Sequence, residues 1–221
     1  MKKIIFLDVD GVLNGRNYYL TKSYTKSKQK YNWNMVKQIC RKNLFWVGLL
    51  CRITNSKVVL SSSWRYGWNT DGTVKSHDGG HEMWLVDKLF KKYGVNIISI
   101  TPCGKLSLKE EHPLNEDKLQ KWCNRKALNG LWEVKEREFT LNYCRGTQIL
   151  KWIEDNNYKG KYLILEDDYY DVEFYKELEP RIIITSFYGD KFGFGFKHFL
   201  MSLLKMVFWR KDGVRLTKSH T

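Results

Sequence analysis

Residues 1–14, MKKIIFLDVDGVLN, contain a short apolar run that ends in two aspartates one residue apart. The run at 4–7 is apolar at every position, which is typical of a strand buried on both faces of a sheet. Asp8 and Asp10 follow it, and Gly11 comes next, before any helical pattern begins. The acids are either solvated turn residues or the ligands of a metal. We favour the metal because D-x-D-G at the end of a buried strand would be an improbable coincidence for a turn.

Similar apolar runs recur further along the chain, at 58–60, 95–100, 162–165 and 182–184. Between them, apolar residues at helical spacing predict helices around 35–40, 85–93, 149–153 and 172–178. Strands that alternate with helices predict an α/β fold, a Rossmann-like open parallel sheet with helices on both faces. Ligands bind at the carboxyl ends of the strands in such sheets.

The chain has 221 residues, a length that predicts one domain spanning residues 1–221. Two stretches do not fit the alternation of strands and helices, and we expect them to be small cap insertions over the strand ends, at 14–32 and 102–144. Residues 197–210 predict a basic amphipathic helix. We expect it to pack on the domain, with contact to a partner or a membrane surface as the alternative.

The net charge of +14 is unevenly distributed. Between residues 11 and 70 there are eleven Lys or Arg residues and no acid, whereas residues 71–190 are slightly acidic. This pattern favours a polyanionic partner, with nucleic-acid contact through 11–70, where several tyrosines offer stacking surfaces. A lysine-rich composition spread over a solvated surface is the alternative.

The five cysteines form no C-x-x-C pair, which predicts reduced thiols and a cytoplasmic protein. The apolar run at the N-terminus is too short for a signal peptide and is interrupted by Asp8 and Asp10. No apolar run is long enough for a transmembrane segment. The oligomeric state is open.

Polar residues follow two other predicted strands. The second strand is followed by SSSWR and the fourth by EDDYYD, which supply the candidates Ser61, Ser62, Arg65, Asp167, Asp168 and Asp171. Parallel strands would bring these side chains to the edge that carries Asp8 and Asp10. Clustered carboxylates repel each other unless a divalent cation neutralises them, and a set of oxygen ligands suits Mg²⁺.

These motifs resemble those of the haloacid dehalogenase (HAD) superfamily of phosphatases. FLDVDGVL corresponds to the family's D-x-D-G-x-L/V, VVLSS to its strand ending in Ser or Thr, and YLILEDDYYD to its acid pair or G-D-x-x-x-D. Glu166 replaces the usual glycine. The family's upstream Lys or Arg corresponds to Arg145, with Lys151 as the alternative. SSSWR and RG-x-Q-I-x-x-W-I also look like the phosphatase-type domains attached to nucleic-acid repair enzymes of phages and bacteria.

The resemblance implies an Mg²⁺-dependent phosphomonoesterase. Asp8 would be the nucleophile that forms an aspartyl-phosphate, and Asp10 would protonate the leaving oxygen. Ser61 would hold the phosphoryl oxygens, and Arg145 would balance charge in the transition state. Further substrate contacts are assigned to Gly11, Ser62, Arg65 and Lys151.

The metal ligands implied by the resemblance are carboxylates and one backbone carbonyl. Asp8 and Asp167 would bind Mg²⁺ through their side chains, and Asp10 would bind it through its carbonyl. Asp168 or Asp171 would support these ligands from the second shell.

Two substrates are compatible with these residues. One is a nucleic-acid end, such as a 3′-phosphate, and the other is a free nucleoside monophosphate. A function of another class is a non-catalytic nucleic-acid-binding module on a HAD scaffold.

Overall fold

The computed structural model describes residues 3–14, 35–75, 80–128, 141–167, 172–185 and 193–208. Within these ranges five strands form one sheet: β1 Lys3–Leu7, β2 Ser56–Leu60, β3 Ile97–Ile100, β4 Tyr162–Glu166 and β5 Ile182–Ile184. The strands pair in parallel in the order β3-β2-β1-β4-β5. The predicted open parallel sheet is therefore confirmed.

Helices cover both faces of the sheet. They are α1 Met35–Gln38, α2 Arg41–Thr54, α3 Gly80–Tyr93, α4 Glu116–Leu128, α5 Arg145–Asp155 and α6 Phe196–Phe208, with 3₁₀ turns at Ser63–Gly67 and Glu179–Arg181. Buried side chains of α2, α3 and α6 belong to one hydrophobic cluster, and those of α4 and α5 belong to a second. The two clusters lie on opposite faces of the sheet, as the fold requires.

Strand β1 shows why its sequence is apolar throughout. Ile5 and Leu7 lie in the first cluster, whereas Ile4 and Phe6 lie in the second. Successive side chains of a strand point to opposite faces, so a strand covered on both sides needs apolar residues at each position. β1 is also the central strand, with β2 on one side and β4 on the other.

The helix predicted around 172–178 is wrong. The described residues from Val172 to Leu178 form turns, and a short antiparallel bridge joins Leu114 to Tyr175. The Asn115 amide donates to the Phe174 carbonyl at 2.8 Å. The apolar side chains that suggest a helix instead fill the second cluster, because the bridge holds this segment against the loop before α4.

Helix α2 was not predicted, because the helix predicted around 35–40 ends before Arg41 and the apolar residues of α2 form a nearly continuous run from Leu44 to Ile53. Gly48 lies in the middle of this helix, and a Cβ there would be 1.9 Å from the Tyr93 carbonyl oxygen. The missing side chain therefore lets α2 pack closely against the end of α3.

The two predicted cap insertions differ in how much of them is described. Of the stretch 14–32, residues 15–32 lie outside the described residues. In the stretch 102–144, α4 packs into the second cluster through Leu119. Lys118 of this helix forms two ion pairs with the domain, because its ammonium lies 2.8 Å from Glu173 and 3.0 Å from Glu179. The capping role of both stretches stays a prediction.

The predicted C-terminal helix corresponds to α6, which packs on the domain through the buried side chains of Phe199 and Met206. Lys205 donates to the carbonyls of Pro180 and Ile182 at 2.8 and 2.9 Å, next to the start of β5. Burial lowers the pKa of Lys205. The helix is thus fixed to the domain by both apolar and polar contacts.

Two further observations concern membranes and thiols. Among the helices that the structure describes, none has the length and apolar character needed to cross a bilayer. The cysteines with described side chains are free thiols, Cys40, Cys51, Cys103 and Cys144.

We predict that Phe199→Ala lowers the free energy of unfolding by about 3–5 kcal/mol, because it removes a buried ring that contacts Trp46 at a centroid distance of 5.4 Å. Phe208→Ala is the matched control on the same helix. Its ring is 73% exposed, so the expected change is within about 0.5 kcal/mol. Urea denaturation measures both. Equal losses in the two variants would contradict the packing of α6.

Candidate active site

The residues that follow the strands are held at one edge of the sheet by backbone hydrogen bonds. The Asp8 amide donates to the Leu165 carbonyl at 3.0 Å, and the Ser61 amide donates to the Leu7 carbonyl at 2.8 Å. The ladder therefore continues one residue beyond β1 and β2. It brings the side chains after β1, β2 and β4 together at the carboxyl edge, as the sequence predicts.

Three carboxylates meet there. Asp8, Glu166 and Asp167 each have an oxygen within 4.8 Å of the others. Burial raises the pKa of Asp8 to about 7, and the negative charges of Asp167 and Asp10 add to this increase, whereas the Arg145 guanidinium opposes it. Burial and the Asp8 charge raise the pKa of Glu166 well above its usual range. Three ionised carboxylates in this volume need positive charge nearby.

Arg145 supplies part of that charge. Its Nη1 lies 3.6 Å from Asp8 Oδ1, and its Nε lies 4.0 Å from Glu166 Oε2. Arg145 is the first residue of α5, so the helix begins at the cluster. Lys151, the alternative from the sequence, contacts Asp155 at 2.5 Å. Of the two candidates, the structure brings Arg145 into contact with the cluster.

The donor set fits a divalent cation of the Mg²⁺ type. It consists only of carboxylate oxygens, which hard cations prefer, and one guanidinium does not balance three negative charges. Glu166 Oε2 is buried and accepts no hydrogen bond within the described part of the chain. A cation would satisfy this oxygen. Asp168 and Asp171, the other predicted ligands, lie outside the described residues.

The Asp10 side chain is directed elsewhere. Its Oδ2 accepts a hydrogen bond from Trp64 Nε1 at 3.1 Å, and its Oδ1 accepts one from Asn14 Nδ2 at 3.2 Å. Asp10 is not part of the group of three carboxylates. The resemblance assigns only the Asp10 carbonyl to the metal, and this orientation of the side chain is compatible with that assignment.

Gly11 makes room for Asp167. Its φ is +75°, and a Cβ built on it would lie 2.0 Å from Asp167 Oδ2. The Gly11 amide donates to Asn14 Oδ1 at 3.1 Å, and Thr185 Oγ1 donates to the Gly11 carbonyl at 2.9 Å. The turn is therefore fixed from both sides, in a conformation that favours glycine.

The two serines after β2 are both buried and differ in their contacts. Ser62 hydrogen-bonds to Asp8, which lowers the pKa of Asp8, and its Oγ accepts from the Trp64 amide at 3.5 Å. Ser61 is 1% exposed, and its hydroxyl has no hydrogen-bond partner among the described residues. A buried hydroxyl without a partner is costly, so a ligand oxygen at this position would be stabilising.

Arg65 is buried near Arg145. Its Nη1 donates to Gln148 Oε1 at 2.9 Å and to Thr101 Oγ1 at 3.3 Å. Burial and the charge of Arg145 lower the pKa of Arg65. The two guanidinium groups therefore lie close enough to repel each other, and within the described contacts it is Arg145 that pairs with the carboxylates.

Several residues of the site were not identified from the sequence as contributors. Glu166 was noted only as a replacement for glycine, and Trp64, Asn14 and Gln148 were not assigned a role. The position of Glu166 directly before the acid pair is a signal that could have identified it. The contacts of Trp64 and Gln148 join residues far apart in the chain, 54 and 83 positions, and leave no local signal.

The strand order and the acids at the carboxyl edge define a HAD-type α/β domain. The model of one family, the HAD domain in Swiss Army Knife RNA repair proteins, matches residues 4–189. This match covers most of the 221 residues, and the chain belongs to that family. No curated protein and no solved structure is significantly similar to the chain.

We predict that Gly11→Ala destabilises the protein more than Gly104→Ala does. Both glycines have positive φ, +75° and +97°, so both substitutions add backbone strain of about 1–3 kcal/mol. Only Gly11→Ala also forces a Cβ onto Asp167, because nothing lies within 4 Å of a Cβ at Gly104. Thermal unfolding of the two variants measures the difference. Equal melting temperatures would show that Asp167 does not pack against Gly11.

Proposed function

We propose that this protein is an Mg²⁺-dependent phosphomonoesterase that acts on the terminal phosphate of a nucleic acid, such as a 3′-phosphate. The observation that carries the proposal is the group Asp8, Glu166 and Asp167, of which Asp8 and Glu166 are buried, with Arg145 against Asp8. Membership in a HAD family from RNA repair proteins supports both the phosphatase chemistry and the nucleic-acid end.

The first step forms a covalent intermediate. An Asp8 carboxylate oxygen bonds to phosphorus while the bond from phosphorus to the ester oxygen breaks. The departing oxygen takes a proton from the Asp10 carboxyl group and leaves as an alcohol. Trp64 and Asn14 support this role because they hold the Asp10 carboxyl in one orientation.

The second step regenerates the enzyme. Asp10, now ionised, takes a proton from a water molecule, and the water oxygen bonds to phosphorus. The bond between phosphorus and the Asp8 oxygen breaks, inorganic phosphate is released, and Asp10 again carries its proton. Both steps use the same two aspartates.

The residues around Asp8 would balance the negative charge of the carboxylates and of the phosphate ester. Asp8, Asp167 and the Asp10 carbonyl would hold Mg²⁺, with Glu166 close by and Asp168 or Asp171 in support. When bound, Mg²⁺ reduces the negative charge that an attacking carboxylate meets at a phosphate ester. Arg145 and the hydroxyl of Ser61 would contact the phosphoryl oxygens, which would give the Ser61 hydroxyl a partner.

The direct test is release of phosphate from a 3′-phosphorylated RNA oligonucleotide, with Mg²⁺ and with EDTA. We expect turnover only with Mg²⁺, and we expect Asp8→Asn to reduce kcat by about 10³-fold or more, because an amide is a poor nucleophile. Asp71→Asn, an exposed acid in a loop, is the matched control and should retain activity.

The same assay separates the alternatives. If a nucleic-acid end is the substrate, kcat/KM on oligonucleotides falls steeply between 50 and 200 mM salt (roughly the range over which phosphate contacts weaken). A nucleoside monophosphate as the preferred substrate, without this salt dependence, would favour the free-nucleotide alternative. Absence of phosphate release from every ester, together with nucleic-acid binding, would favour the non-catalytic module.

Arg145→Met should lower kcat by about 10²- to 10³-fold, because it removes the cation beside Asp8. Lys151→Met is the matched control on the same helix. We expect it to lower kcat by less than about 3-fold, since Lys151 pairs with Asp155. Steady-state kinetics on one substrate compares them. The reverse order of effects would assign the role of the family's upstream Lys or Arg to Lys151.

A further inference from the structure

Two exposed tyrosines lie close in sequence to residues of the candidate active site. Tyr66 is 62% exposed and lies in the 3₁₀ turn that follows β2, two residues after the Trp64 that donates to Asp10. Tyr143 is 41% exposed and lies two residues before Arg145. A single exposed aromatic residue is ordinary on a protein surface. A binding role for these two tyrosines therefore has to be argued from their contacts.

A bridge of contacts through Arg65 and Gln148 connects the Tyr66 ring to the backbone of Tyr143. The Arg65 guanidinium carbon lies 5.6 Å from the centre of the Tyr66 ring, and Arg65 Nη1 donates to Gln148 Oε1 at 2.9 Å. Gln148 Nε2 in turn donates to the Tyr143 carbonyl at 3.0 Å. Gln148 lies three residues after Arg145, on the same side of α5. The Tyr66 ring and the Tyr143 backbone are therefore both connected to the helix that carries Arg145.

The bridge also carries a positive charge without a carboxylate partner. Arg65 is 6% exposed, and no carboxylate in the described part of the chain contacts its guanidinium. Its Nε has no hydrogen-bond partner there either. A buried guanidinium without a counter-charge is unfavourable on its own and is compensated when an anion binds nearby. This region therefore favours a ligand that is both anionic and aromatic.

We propose that Tyr66 and Tyr143 are the base-stacking residues of the site and hold the last bases of a nucleic-acid strand next to its terminal phosphate. This inference rests on the proposed function for the phosphate itself. It adds contacts to the bases, which would distinguish a nucleic-acid end from a phosphate ester without a base. Every base has a flat π-face, so stacking on tyrosine tolerates any sequence. Arg65 is a positioning residue that holds the Tyr66 ring. A phosphate ester without a base lacks these contacts.

The test compares binding of two short RNA strands with a 3′-phosphate, one with normal bases and one with abasic nucleotides at its 3′ end. Fluorescence anisotropy is measured in the Asp8→Asn background, so that no strand is hydrolysed. We expect the double variant Tyr66→Leu, Tyr143→Leu to bind the normal strand about 10- to 100-fold more weakly. Its affinity for the abasic strand should change less than about 2-fold.

Two matched variants sharpen the comparison. Tyr66→Phe with Tyr143→Phe keeps both rings and should bind like the parent, whereas Phe208→Leu removes an exposed ring outside the site and should have no effect. Equal affinity of the parent for the two strands, or equal losses in the double leucine variant, would overturn the inference.

Phosphate release by the wild-type chain is measured in parallel. Tyrosine-dependent binding without phosphate release would support the stacking residues and remove the proposed hydrolysis. Phosphate release with tyrosine-independent binding would leave the hydrolysis in place and contradict the stacking residues.

Discussion

The repulsion among three carboxylates, two of them buried, is the constraint on which the site depends. Asp8, Glu166 and Asp167 converge because the chain continues β1 and β4 to the same edge of a parallel sheet. Burial is the main cause that raises the pKa of Asp8 and of Glu166, the negative charges of the neighbouring carboxylates add to it, and the Arg145 guanidinium opposes it. Such a concentration of negative charge favours the binding of positive charge.

The elements around the three carboxylates make room for them or contact residues near them. Because residue 11 is a glycine, no Cβ overlaps the Asp167 carboxylate. The 3₁₀ turn after β2 carries both Trp64, which donates to Asp10, and Arg65, which donates to Gln148 in α5. This short segment therefore connects the residues after β1 to α5.

The strands and the acids after them could be predicted from the sequence, because a strand buried on both faces must be apolar at every position. In β1, the change from apolar residues to Asp8 marks the end of the strand. The sequence was misleading at 172–178, where apolar residues at helical spacing belong to turns that a bridge from Leu114 to Tyr175 holds in the core. The partners of Asp10 and Arg65 could not be predicted, since Trp64 and Gln148 reach them only through the tertiary fold. Glu166 was visible in the sequence, but its contribution depends on burial, which no local pattern reports.

We expect Asp8 and Asp167 to bind one divalent cation, with Glu166 close by. The most direct measurement is anomalous X-ray diffraction from crystals grown with Mn²⁺, an ion that shares the preference of Mg²⁺ for oxygen ligands. The account predicts a single anomalous peak within coordinating distance of Asp8 and Asp167. A fully ordered site without such a peak, or a peak bound only by other residues, would contradict it.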